Sequence, residues 1–287
     1  PTETELWHQR LGHAPLKTIK MASTMITGVN KVDHSYDFCI ACAQGKQHAS
    51  PVAQQATTRA TEPLQLVHSD VCGPMQTVSH AGHRYFINFI DDYSRRTWAV
   101  PLTQKSDAIR AFTAFKATVE KQTGKSLRVL RSDNGGEYES REFTELLQQS
   151  GIVHQRSAPH TPEQNGVAER SNRSIVEIAR TLLHAAGLSY EFWPEAVAVA
   201  VYLKNRLPHR AVTGKTPEEA FTGIKPDVSH LRVFGCDAYV LVPEGERRKL
   251  DSKVKRCIFV GYGHDQGVLG YRLYDPATRK FIMSRNV

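Results

Sequence analysis

The chain has 287 residues, 40% hydrophobic and 23% charged, with 37 Lys and Arg against 29 Asp and Glu for a formal net charge of +8. Wholesale disorder is excluded by that composition, and no apolar run approaches the 18 residues that a membrane-spanning helix needs. The basic excess favours a polyanionic partner, and residues 230–287, with 11 Lys and Arg against 6 Asp and Glu, are the stronger candidate for a phosphate-binding surface.

Pro1 opens the chain with neither an initiator Met nor a signal-peptide pattern, as expected of a processed product or an excised fragment. In "LWHQRLGHAPLKTIKMA", Leu6, Leu11, Leu16 and Ile19 recur loosely as a helical face. Five cysteines, an odd number, are scattered except for Cys39 and Cys42, so a reducing compartment with metal-binding thiols fits better than a disulfide framework. Residues 46–62 are polar and read as a linker. "PLQLVHSDVCGP" is a strand running into a Gly-Pro turn, and "RYFINFIDDYSRRTWAVPL" is a hairpin around Asp91–Arg95. Ile109, Phe112, Phe115 and Val119 mark an amphipathic helix ended by Gly124. A strand "SLRVLRSD", a short helix closed by Gly151, an extended "IVHQRSAP" and two helices near 162–187 and 190–206 follow. Strands first as a meander, then alternating with helices, predict an α/β mixed sheet flanked by helices. Residues 207–229 are punctuated by Pro and Gly. From 231 onward, short strand candidates predict a small antiparallel barrel or sheet.

Three constellations carry chemistry. His8 and His13, with the C-x₂-C pair Cys39 and Cys42, form an N₂S₂ set suited to one structural zinc. The alternative is a solvent-facing His pair beside an unrelated Cys pair. The His spacing of five exceeds the helical i, i+4, so one His is expected at a helix end. A module of this size with little core would depend on the ion for its fold. Asp70 and Asp133 each end a strand and Glu169 begins a helix, where each taken alone reads as a turn, cap or dipole residue. Glu137 reads as solvated or structural.

Taken together, "HSD", "SDNGGE" and "TPEQNGVAER" place 62 residues between the first two acids and 35 between the last two. This order resembles the D,D-35-E triad of retroviral and retrotransposon integrases. "LWHQRLGHAPL…CIACAQGKQ", "HSDVCGP", "RSDNGGEY", "PHTPEQNGVAER" and "LRVFGCDAYV…FVGY" bring the resemblance closest to the copia-type integrases of LTR retrotransposons, over nearly all of residues 6–287. It implies an RNase H-like core over 63–210 between linkers at 49–62 and 211–229. A zinc-binding helical module over 1–48 would precede the core, and a basic, truncated small β-barrel over 230–287 would follow it.

The resemblance further implies Asp70, Asp133 and Glu169 as catalytic carboxylates holding two Mg²⁺ or Mn²⁺ ions, and His8, His13, Cys39 and Cys42 as ligands of one Zn²⁺. Asn165 and Arg173 fall in the family's donor-DNA-contacting region, whereas Val176 is apolar where retroviral relatives often carry a basic residue. Arg170 and Arg173, with Arg180, Lys204, Arg206 and Arg210, offer phosphate contacts, as do Arg247, Arg248, Lys249, Lys253, Lys255 and Arg256 in the tail. The implied reaction is metal-dependent strand transfer, in which the element's 3′-hydroxyl attacks target DNA. Implied partners are DNA ends, target DNA and further copies of the chain, at least a dimer, released from or part of a larger polyprotein. The nucleus is the expected working site, preceded by a cytoplasmic virus-like particle. An RNase H-like nuclease and a catalytically silent domesticated DNA-binding protein are the competing readings.

Overall fold

A computed structural model describes residues 2–29, 39–46, 59–156, 165–263 and 269–287. Most of the expected first linker, and the loop rich in Pro and Gln before Glu169, lie outside the described residues.

The centre is a five-stranded mixed sheet of order β3-β2-β1-β4-β5, built from β1 (Val67–Cys72), β2 (Tyr85–Asp91), β3 (Thr97–Leu102), β4 (Val129–Ser132) and β5 (Val153–Arg156). The β1–β2 and β2–β3 pairs are antiparallel, and β1–β4 and β4–β5 are parallel. β2 alone therefore runs against the others, the mixed sheet expected of an RNase H-like core. The hairpin turns at Asp91–Arg96, where Asp91 accepts from the Ser94 amide and hydroxyl.

Apolar residues of alternating strand positions fill two layers. On one face, Ile87, Phe89 and Leu130 pack with Phe112, Phe115 and Val119 of α4 (Ala108–Thr123) and Phe143 and Leu147 of α6 (Arg141–Gln149). Tyr138, from the one-turn α5 (Gly136–Glu139), is buried in the same layer. Gly124 closes α4 in the left-handed conformation, as its position predicts. On the other face lie α7 (Gly166–Ala186) and α8 (Trp193–Arg206).

The second layer is larger than a three-module organisation predicts. Trp7 of α1 (Glu3–Arg10) and Ile19 of α2 (Leu16–Met25) share one apolar cluster with Ile175, Leu182, Trp193, Val197 and Leu203. Phe234, Val260 and Tyr274 of the C-terminal part join the same cluster. α3 (Ile40–Lys46) lies along α7, and Gly45 is needed there because a side-chain carbon would collide with the Thr181 hydroxyl.

Residues 211–229, read as a linker, are packed structure. Thr216 caps α9 (Pro217–Thr222), and Phe221 stacks edge-on against Trp98. Its T-P-E-E start is a helix N-terminus that the surrounding Pro and Gly obscure in the sequence. The first linker also ends early: Arg59 donates to the carbonyls of Asp92 and Tyr93, and Ala60 N–H donates to Asp92. The C-terminal part is a four-stranded antiparallel sheet of order β6 (Asp237–Leu241), β7 (Val254–Tyr262), β8 (Tyr271–Asp275) and β9 (Lys280–Ser284). It is rolled, with one backbone bond, Leu241 N–H to Asn286 O at 3.2 Å, tying its outer edges.

Because overpacking of this kind typically costs ~1–3 kcal/mol, Gly45→Ala should lower stability in urea unfolding by that amount. Gly136→Ala, where a side-chain carbon would meet nothing within 4 Å, should cost less.

Candidate active site and metal centre

The β1–β4 register pairs Val67 with Leu130 and His68 with Arg131. Two residues further along, Asp70 is still on β1 while Asp133 follows the last residue of β4, so the two acids stand where the parallel pair ends. The Asp70 side chain leaves the sheet on the face that α7 covers, where it meets Asn172. The Asp133 carboxylate is oriented by the Gly135 amide, which donates to its Oδ1 at 3.1 Å. Gly135 also leaves room for Glu137, whose carboxylate folds back over the loop and pairs with Lys105 at 3.4 Å. Glu137 is thus structural, as its sequence position suggests.

Glu169 occupies the first turn of α7 and is exposed. One turn on, Asn172 donates its amide to Asp70 Oδ2 at 2.8 Å. Burial, then the charges of Asp133 and Glu169, push the Asp70 carboxyl up to about 7, against the lowering effect of the Asn172 bond. So the three acids share one electrostatic field. Among the described residues, none of them is in an ion pair with Lys, Arg or His. Hard oxygen donors with unneutralised like charge fit divalent cations of the Mg²⁺ or Mn²⁺ type.

His8 lies inside α1, whereas His13 lies beyond its end, as the spacing of five predicts. Gly12 and His13 both take positive φ, 64° and 58°, and this turn brings the second imidazole back beside the first. His8 Nδ1 donates to Ala14 O at 2.8 Å, which leaves Nε2 as the ligand atom. His8 Nε2 is 3.2 Å from His13 Nδ1 and 3.3 Å from Cys42 Sγ, and Cys39 Sγ is 3.4 Å from His13 Nδ1. All four ligand atoms fall within 4.8 Å of one another. The three closest of these separations lie near the roughly 3.3–3.8 Å between donors of a tetrahedral zinc, and an N₂S₂ donor set of this kind suits one such ion once the wider pairs draw in. Burial presses His13 down to about 3 and raises the Cys42 thiol to about 11. A bound cation would reverse the thiol's preference.

Family comparisons agree with this layout. Residues 60–162 match the Integrase core domain, 1–47 the GAG-pre-integrase domain and 236–287 the Retroviral polymerase SH3-like domain. Over nearly its whole length the chain is similar to the Pol polyproteins of copia-type retrotransposons. It is 45% identical over 283 residues to the Retrovirus-related Pol polyprotein from transposon TNT 1-94 of Nicotiana tabacum, covering 99% of this chain and 21% of that protein. Identity to the polyprotein from transposon RE1 of Arabidopsis thaliana is 38% over 282 residues, covering 98% and 19%. The chain therefore spans about a fifth of the length of these curated relatives. Among solved structures, the HTLV-2 integrase catalytic core domain in complex with magnesium (trimeric form) aligns at a TM-score of 0.44 and 20% identity, over 57% of this chain and 99% of that one.

The DNA-contact candidates of this integrase core separate into two groups. Arg170 and Arg173 are exposed on α7. Arg173 and Arg180 line a groove between α3 and α7, together with Gly45, Cys72, Asn172 and Val176. Asn165 is instead buried as the N-cap residue of α7, where it donates to Ser69 O at 3.3 Å, so it ties the helix to β1 rather than facing solvent. Lys204 is likewise drawn inward to the Ser171 hydroxyl at 2.6 Å, and burial lowers its ammonium to about 8. Arg206 packs over the Tyr202 ring. In the tail, Arg248, Lys249 and Lys253 are exposed and Arg247 is half-buried. Lys255 pairs with Asp275 and Arg256 with Asp237. Two site residues, Asn88 and Asn172, escape the sequence reading. Their signals are an Asn inside the apolar strand "YFINFID" and an Asn one helical turn beyond Glu169.

An acid whose folded pKa lies above its unfolded value destabilises the fold once ionised, so stability falls as pH rises between those values. Without added Mg²⁺ or Mn²⁺, the wild type should lose melting temperature relative to Asp70→Asn as pH rises from about 4 to about 7, read by circular dichroism at each pH. Mass spectrometry under native conditions should find one zinc per chain in the wild type and none in Cys42→Ala.

Proposed function

We propose that the chain catalyses DNA strand transfer, in which the 3′-hydroxyl oxygen of an element end attacks a target phosphodiester and the target's own 3′ oxygen leaves in line. The observation that carries the reading is that Asp70 on β1, Asp133 just past the end of the adjacent β4 and Glu169 at the start of the overlying α7 converge, the charges of the last two both acting on Asp70, with no cation among the described residues neutralising them. Two divalent ions held by these carboxylates would supply Lewis-acid activation of the attacking hydroxyl and charge neutralisation at the leaving oxygen. The protein's own part is positional. β1 and β4 fix the two aspartates, the Gly135 amide aims Asp133, and Asn172 aims Asp70. Glu169, on the exposed first turn of α7, is free to close on the site from the DNA side.

Zinc at His8, His13, Cys39 and Cys42 would be structural, since all four donors come from protein and no open position is left for a substrate. Arg170, Arg173 and the exposed tail residues Arg248, Lys249 and Lys253 would meet phosphates without reading sequence, so binding should weaken steeply with salt. Joining both ends of one element calls for at least two copies of the chain. The working compartment would be the nucleus, reached from a cytoplasmic particle, with the chain borne by a larger polyprotein.

Asp133→Asn should abolish Mg²⁺-dependent joining of a short duplex end to plasmid DNA while the circular dichroism spectrum is retained. Undiminished joining by this variant would refute the assignment. Nicking without joining by the wild type would favour hydrolysis instead.

A further inference from the structure

The three carboxylates reside on β1, on the loop after β4 and on α7. Yet the best-connected side chain near them is on β2, which carries none of the three. Asn88 is fully buried between Ile87 and Phe89. Its Oδ1 accepts from the Asp70 backbone N–H at 3.0 Å. Because an N–H can only donate, this contact fixes which way the amide points. Its Nδ2 then faces α7, donating to Asn172 Oδ1 at 2.6 Å and, more loosely, to Ala168 O at 3.4 Å. Ala168 adjoins Glu169, and Asn172 returns the link to Asp70 Oδ2. The Asn88 main-chain carbonyl accepts from the Ser69 hydroxyl at 2.9 Å. That hydroxyl is 2.7 Å from the Tyr138 hydroxyl, in the turn of helix that follows Asp133.

We infer that Asn88 is a positioning residue whose side chain fastens the segments bearing Asp70 and Glu169 to one another and so sets the geometry in which the carboxylates take up divalent metal. The inference deepens the strand-transfer reading and rests on its assignment of the three acids. Neither Asp nor Leu does the same work at this point. Asp would accept from the Asp70 amide but could not donate to Asn172 and Ala168, and it would add a fourth negative charge. Leu has nearly the same shape and belongs naturally in an apolar strand, but it makes none of these side-chain bonds and strands the Asn172 amide. An all-apolar core would be satisfied by a leucine at this position, so a purely structural role and a positioning role predict opposite outcomes for the change. Outer-shell partners of this kind typically contribute 10–100-fold to metal affinity or activity.

The test uses the full, zinc-loaded chain and Mn²⁺ as the probe, with binding followed by electron paramagnetic resonance. Asn88→Leu should keep a cooperative melting transition, bind Mn²⁺ at least about tenfold more weakly than the wild type, and need correspondingly more Mg²⁺ for half-maximal joining. If the folded variant binds Mn²⁺ and joins DNA within about twofold of the wild type, the inference is overturned. Should Asn88→Leu fail to fold, Asn88→Ala removes the same side-chain bonds with less bulk and leaves the Asn172 bond to Asp70 in place. The same tenfold loss in that folded variant supports the inference, and an unchanged Mn²⁺ affinity overturns it. The two readings fail differently. A wild type that never joins DNA defeats strand transfer, whereas an unaltered Mn²⁺ affinity in the variants defeats only the role of Asn88.

Discussion

Acidic side chains that no basic group among the described residues neutralises repel one another, and here that repulsion is contained by groups that carry no charge. Burial together with Asp133 and Glu169 raises the Asp70 carboxyl to about 7. An ammonium or guanidinium placed among the three would relieve the strain and also occupy the place of a metal. Amides avoid both outcomes. The Asn172 side chain and the Gly135 backbone N–H orient carboxylate oxygens without cancelling their charge, leaving the net negative field that divalent cations require. Two lysines have partners elsewhere: Lys105 is spent on Glu137 and Lys204 is turned to the Ser171 hydroxyl.

That containment depends on α7 being held firmly, and the apolar packing behind it explains the rest of the architecture. Ile175, Ala179, Leu182 and Leu183 face a cluster contributed by α1, α2, α8 and the C-terminal sheet. A zinc module of about 45 residues and a β-sheet of about 58 would each have a poor ratio of core to surface alone. Joined across one cluster, each completes the other's core. His80 shows the same principle at the border of core and tail, its ring packed among Phe192, Tyr274 and Phe281.

Much of this was legible in the sequence because periodicity reports which face of an element is buried. Phe112, Phe115 and Val119 mark α4, Gly124 and Gly151 mark helix ends, and Asp91–Arg95 marks the hairpin, all where the structure has them. The gathering of His8, His13, Cys39 and Cys42 was legible because two imidazoles and two thiolates in a short segment have few other uses. Segment boundaries were less so. Residues 211–229 resemble a linker by composition, yet Phe221 and Val228 are buried. Composition describes the chain locally, whereas burial is decided by what arrives from elsewhere. Asn165 and Lys204 illustrate the same limit, since polar and basic residues near a predicted site read as exposed until a neighbouring element covers them. Asn88 was hidden for the opposite reason: one amide within an apolar strand has no partner in its own neighbourhood of sequence.

α7 resolves these parts into one device. Glu169 and Asn172 are one turn apart on the side toward the aspartates, while Thr181, twelve residues beyond Glu169 and about 18 Å along the axis, receives Gly45 of α3. The loop that carries His13 touches the same region, since Gly12 packs closely against Leu203 and Ile178. The His/Cys cluster and the three acids are thus fastened to two ends of one helix, whose flanks are locked by the shared core. A short helix on a flexible tether could carry zinc ligands equally well, but it could not brace α7. The close approach at Gly45, which excludes any side chain there, is what makes α3 a buttress for the helix that presents Glu169.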